Sequence, residues 1–143
     1  MTSERARQCF AASRVACLAT VDADGHPHLV PVVFALTGDT LAFAVDHKPK
    51  RTTELKRLAN IRVRPAVCLL VDDYDEDWDR LWWARADGTA TVLPPADGAE
   101  APEASAEYVR LLAAKYRSQY ADRLPEGPVV EVAVARWSGW HAT

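Results

Sequence analysis

Between His47 and Arg64 the chain places seven basic residues, Lys48, Lys50, Arg51, Lys56, Arg57, Arg62 and Arg64, against the single acid Glu54. That segment carries +6 in a chain whose total is −3, which leaves −9 for the remainder. Its centre, Lys50-Arg51-Thr52-Thr53, stands where a β-rich run ends and a helical pattern begins. Such a junction suits phosphate: free N–H groups of a first helical turn point at the anion, the helix end is partially positive, and an arginine fork binds two oxygens at once. Basic charge spread over a whole protein fits nucleic acid. One compact basic segment on an acidic chain fits a small polyanion better. The same charges would also suit a solvated helix face. No Walker or GxGxxG pattern competes for the phosphate.

Other chemistry-bearing residues are less organised. His26 and His28 flank Pro27 at a strand start and share a face, but no third ligand stands near them, so His28 reads better as a hydrogen-bonding residue lining a groove than as a zinc ligand. The acidic run from Asp72 to Asp79 lacks the central Gly and terminal Glu of a calcium loop and reads as a solvated hairpin connection, with Trp78 and Arg80 able to fold over a neighbouring groove. Trp82 and Trp83 must point to opposite faces of their strand, one into the core and one toward a partner subunit or a flat ring; packing is the more frequent use of such aromatics. The cysteines Cys9, Cys17 and Cys68 show no metal spacing and read as buried, inert thiols in a reducing compartment. No nucleophile–histidine arrangement is readable from residue order.

The elements that must position these residues are mostly strands. Val15–Val21 and His28–Ala35 flank the Asp24-Gly25 turn, a hairpin signal, and Pro31, which lacks a ladder N–H, marks an edge or an interruption. Gly38-Asp39 turns the chain into a third strand, Thr40–Val45. A short helix capped by Thr52 or Thr53 runs through Asn60. The near-continuous apolar run Ala66–Asp72 predicts a strand buried on both faces. Leu81–Leu93 predicts one long bent strand, or two with a bulge at Gly88. The stretch 94–102 has loop chemistry. Val109, Leu112, Ala113, Tyr116 and Tyr120 then recur at helical spacing behind Ser105 as a cap, and Val129–Ala135 leads a closing strand into Trp137–Trp140. Six strands with three helical pieces and no β–helix–β regularity predict a mainly β, six-stranded antiparallel barrel with flanking helices, with residues 1–143 forming one domain.

A chain of 143 residues, about half apolar, has room for one core. Its apolar runs are far shorter than the roughly 20 residues of a membrane span, and its first residues lack the basic and apolar regions of a signal peptide. A cytoplasmic protein is expected.

The ordered set Leu18-Ala19-Thr20-Val21, Asp24-Gly25-His26-Pro27-His28, Val30-Pro31-Val32, Lys50-Arg51-Thr52-Thr53-Glu54-Leu55, Arg64-Pro65-Ala66-Val67 and Trp83-Ala84-Arg85-Ala86-Asp87-Gly88-Thr89-Ala90 resembles the pyridoxamine 5'-phosphate oxidase-like split β-barrel family. Within it the chain is most similar to the small deazaflavin-dependent oxidoreductases that use coenzyme F420. The resemblance implies a homodimer with the cofactor in a groove between subunits. It implies that Lys50, Arg51 and Thr52, with Lys48, hold the phosphate, and that Val30, Pro31 and Val32 run beside the ring system. Trp83 and His28 join them as candidate cofactor contacts. The oxidase's pyridoxal-phosphate-binding residues have no match here, so vitamin B6 oxidation is not expected. Hydride transfer between reduced deazaflavin and an electron-poor organic acceptor is the leading reading. The rivals are an FMN-binding flavoprotein and a non-enzymatic cofactor carrier or small nucleic-acid-binding barrel, with nucleic acid ranked last.

Overall fold

The computed structural model describes residues 1–45, 55–96, 98 and 103–142. Three helices, α1 (Ser3–Ala12), α2 (Lys56–Val63) and α3 (Glu103–Lys115), decorate seven strands: β1 (Ala16–Val21), β2 (Pro27–Val32), β3 (Ala35–Thr37), β4 (Thr40–Ala44), β5 (Ala66–Asp73), β6 (Trp82–Leu93) and β7 (Val129–His141). They form a single antiparallel sheet in the order β2-β1-β5-β6-β7-β4-β3. Its two edge strands, β2 and β3, are separated in sequence only by Val33 and Phe34, so the sheet must curl until its edges approach at that corner.

Seven strands replace the expected six because the second run breaks at this corner. Pro31 has no N–H for the ladder, and the Phe34 N–H is taken by the Tyr116 hydroxyl at 3.0 Å instead of by a strand. The Asp24-Gly25 turn forms as read, with Gly25 at φ 87°, a conformation that costs glycine little. The long β6 strand is continuous, with its register shift between Asp87 and Gly88. A Cβ at Gly88 would lie 2.3 Å from the Ala133 carbonyl oxygen, so glycine is what lets the bulge pack against β7.

The inner face of the curl is apolar. Leu18, Leu41, Phe43, Leu69, Val130 and Val132 meet there, closed at one side by Phe10 of α1 and at another by Leu58 and Ile61 of α2. Phe10 sets its ring edge against both Phe34 and Trp137. α1 was not placed by the sequence reading; only Ala6, Cys9 and Phe10 of its residues are buried, too few for a clear periodic stripe. α3 packs outside, laying Tyr108, Val109 and Leu112 on Ala35, Ala42 and Val129.

Five expectations are corrected. β5 is not buried on both faces: Val67, Leu69 and Val71 are, but Ala66 and Leu70 are exposed, because no described element of the chain covers its outer face. For the same reason Cys17 is exposed and Cys68 half-buried, and only Cys9 is enclosed. α2 begins at Lys56 with Leu55 at its cap and no side-chain cap bond; Thr52 and Thr53 lie outside the described residues. Ser105 is no cap but a buried residue within α3, its hydroxyl donating to the Pro94 carbonyl at 2.8 Å. Trp78 does not fold over a groove; it is 70% exposed on a short 3₁₀ turn. None of the described helices is long and apolar enough to cross a membrane.

Candidate functional site

Lys48, Lys50, Arg51 and Thr52 lie outside the described residues. What is described is the ground on either side: the end of β4 at Ala44 and the start of α2 at Lys56. Between these ends opens a cleft of about 330 Å3, lined by Val15, Pro31, Val32 and Val33 on one side and by Phe43, Ala44 and Arg57 on the other. Its size falls within the range of roughly 300–1,000 Å3 usual for small-molecule sites. Among the described residues the walls are apolar apart from the guanidinium of Arg57, a combination suited to a flat ring system carrying a polar edge.

Pro31 and Val32 therefore line the cleft, while Val30 turns inward and packs on the core. His28 also faces inward, opposite Thr20 across the β1–β2 ladder. Its Nδ1 is closed off from solvent and has no hydrogen-bond partner among the described residues, a costly state for a polar atom that a bound group or water would relieve. Thr20 itself is satisfied, its hydroxyl accepting from Asn60 Nδ2 of α2 at 3.0 Å. That bond pins α2, and with it Arg57, against the sheet.

Trp83 sits elsewhere. It lies on the outer face of β6, in a separate pocket of about 280 Å3 with Leu70, Tyr74 and Arg85. Arg85 lies 5.8 Å from the Trp83 ring centre and pairs with Asp87 at 3.1 Å. Trp82 also borders this pocket but packs against the core, in keeping with the strand alternation. The outer face of the sheet exposes large apolar side chains: Trp140, paired with Trp83, is 48% exposed, Leu70 38% and, farther away on β2, Leu29 67%.

Arg64 and Lys56 of the basic segment are committed inside the chain. Arg64 donates to the Asp22 and Ala23 carbonyls at 2.8 and 3.0 Å, and Lys56 approaches the Asp22 carboxylate at 3.5 Å. They fasten α2 to the β1–β2 turn. Within that turn the backbone N–H groups of His26 and Asp24 donate to Asp22, and the His26 bond leads in holding the Asp22 carboxyl below its ordinary range. Asp22, Asp24 and His26 bring potential ligand atoms within 4.8 Å of one another, a grouping these turn bonds already account for.

A larger pocket of about 730 Å3 lies between α3 and residues 122–126. Of its charged lining, Arg110 pairs with Glu107 and Arg123 with Glu126. The smaller cleft is the better candidate because it opens where the basic segment starts. Arg57, Val15 and Phe43 enter the site through tertiary packing alone; nothing in their local sequence marks them as neighbours.

A curled antiparallel sheet flanked by helices, with an apolar cleft at its corner, defines a split barrel. The profile of the family described as pyridoxamine 5'-phosphate oxidase matches residues 2–141, and the chain belongs to that family. No curated protein matches it. Among solved structures it is similar to a conserved hypothetical protein of Mycobacterium tuberculosis, with TM-score 0.74 and 21% identity over 99% of this chain and 86% of that one. It is also similar to an FAD-binding protein of Mesorhizobium loti, with TM-score 0.69 and 19% identity over 97% and 92% of the two chains. The heme storage protein HutZ of Vibrio cholerae matches with TM-score 0.68 and 14% identity over 96% and 90%. These likenesses establish the fold.

Proposed function

We propose that this chain is a single-domain cytoplasmic oxidoreductase that holds coenzyme F420 and transfers a hydride between the reduced deazaflavin and an electron-poor organic acceptor. The observation that carries the reading is the apolar cleft bounded by Pro31, Val32 and Arg57, opening at the end of β4 where the basic segment begins. The cofactor, when bound, supplies the hydride chemistry. Lys50, Arg51 and Thr52, with Lys48, would hold its phosphate; Pro31 and Val32 would lie beside its ring. His28, with its closed-off Nδ1, fits a role behind that ring. The apolar walls would exclude water from the reacting face.

The working unit is a homodimer. Leu29, Leu70 and Trp140 together expose an apolar surface of the kind that stays in water only when something covers it, and a second copy with the same face would do so symmetrically. In that assembly Trp83 would meet the partner subunit rather than its own chain's cleft.

FMN in the same cleft is the second reading, favoured by the family match and by the FAD-binding relative. The deciding experiment is a fluorescence titration of the purified protein with F420 and with FMN, at low and moderate salt. Tight, salt-sensitive binding of F420 alone supports the proposal; preference for FMN moves the protein to the flavin branch, and binding of neither overturns both. In the same assay Lys50→Ala with Arg51→Ala should lose about 1–3 kcal/mol of affinity per charge-assisted contact.

A further inference from the structure

Two cations, Arg14 and Lys115, stand near the cleft residues Val15 and Val33 and share one aromatic neighbour, Tyr116. Arg14 immediately precedes the cleft residue Val15, and Lys115 closes α3 beside Phe34, the neighbour of the cleft residue Val33. The Lys115 ammonium donates to the Phe34 carbonyl at 2.9 Å and lies 3.8 Å from the centre of the Phe34 ring. It is also 5.2 Å from the Tyr116 ring, whose face Arg14 approaches at 4.8 Å. Arg14 donates one N–H to the Lys115 carbonyl at 3.0 Å. Neither cation has a carboxylate within 4.0 Å among the described residues.

Capping the last turn of α3 needs only one of them. Arg14 is exposed, but Lys115 is half-buried, and its burial, with the Arg14 charge second, lowers the Lys115 pKa to about 8. An anion held between the two would relieve that strain of like charges and satisfy their remaining donors.

We propose that Arg14 and Lys115 form an anion subsite at the α3 end of the cleft, which takes the carboxylate of an otherwise apolar or aromatic acceptor whose body lies against Val15 and Val33. The inference deepens the proposed function by naming a substrate class, and it rests on that reading for the identity of the cleft. Oxyanions from two sources could use the site, the acceptor's carboxylate or the cofactor's phosphate, and the test separates them.

The test uses benzoate and the uncharged benzamide as probes of the full chain, followed by NMR of the Lys115 ε-methylene group. Benzoate should bind saturably and raise the Lys115 titration midpoint, while benzamide does neither. Lys115→Met and, separately, Arg14→Gln should each weaken benzoate by roughly ten-fold, the loss of one charge-assisted contact, while leaving FMN and F420 affinity within about two-fold. Equal binding of benzoate and benzamide, or an unmoved Lys115 midpoint, would overturn the site. If Lys115→Met instead weakens FMN and leaves riboflavin unaffected, the anion is the cofactor's phosphate and the substrate assignment is wrong. Benzoate binding with these signatures in a protein that binds neither FMN nor F420 would uphold the anion site and discard the proposed function.

Discussion

The Tyr116 hydroxyl, 82 residues from Phe34 in sequence, sits against both polar groups of that residue's backbone: it accepts from the Phe34 N–H at 3.0 Å and lies 2.9 Å from its carbonyl oxygen. The Arg14 carbonyl is 2.8 Å from the same hydroxyl and competes for its single proton. One side chain thus holds the corner at which β2 gives way to β3, the corner that also forms one wall of the cleft.

Tyr116→Phe should therefore destabilise the fold by about 1–3 kcal/mol, because it leaves the buried Phe34 N–H without an acceptor while changing almost nothing in volume. Urea denaturation reads this directly. An unchanged midpoint would mean that water or a backbone shift replaces the hydroxyl.

The Thr20–Asn60 bond makes a second prediction. Thr20→Val strands the Asn60 amide in the core and should cost about 1–3 kcal/mol, whereas adding Asn60→Leu should recover part of the loss by removing the stranded group. Strictly additive losses in the double-mutant cycle would show that the two side chains act independently.

Gly88→Ala is expected to cost about 1–3 kcal/mol or more, since its Cβ would meet the Ala133 carbonyl oxygen at 2.3 Å and the Val132 Cγ1 at 3.1 Å. Backbone atoms cannot rotate aside as a side-chain tip can. Thermal unfolding indistinguishable from the parent would show that the β6–β7 ladder absorbs the methyl freely.

Lys115 makes the pH dependence testable. Its pKa is lowered to about 8 in the folded chain, against an ordinary 10.5. Between those values the unfolded chain holds a proton that the folded chain has released, so this group raises stability as pH rises through the window and contributes no slope below about 8. Urea midpoints of the parent and of Lys115→Met, compared across the window, should diverge in that sense. Parallel curves would place the amine in an ordinary solvated environment.

What could be read from the sequence alone was whatever rests on neighbours in the chain. The Asp24-Gly25 hairpin, the bulge at Gly88, the inward and outward turns of Trp82 and Trp83 and the α3 stripe all follow from local dihedral preference and side-chain periodicity, which act over a few residues. The concentration of charge between His47 and Arg64 was equally plain, as was the family resemblance carried by motif order. Burial of β5 was misjudged because an apolar run does not say which of its faces another element will cover.

Only the tertiary structure decided the rest. Val15, Phe43 and Arg57 share a cleft because the sheet curls until β2 and β4 face α2, and a curl is the sum of small twists over seven strands rather than the property of any one. Lys56 and Arg64 left the pool of possible ligand contacts once α2 docked on the β1–β2 turn. Arg14 and Lys115, 101 residues apart, came to share the Tyr116 ring by the same closure. Charge can be counted along a chain, but whether two charges meet depends on distance in space, and long-range packing sets that distance.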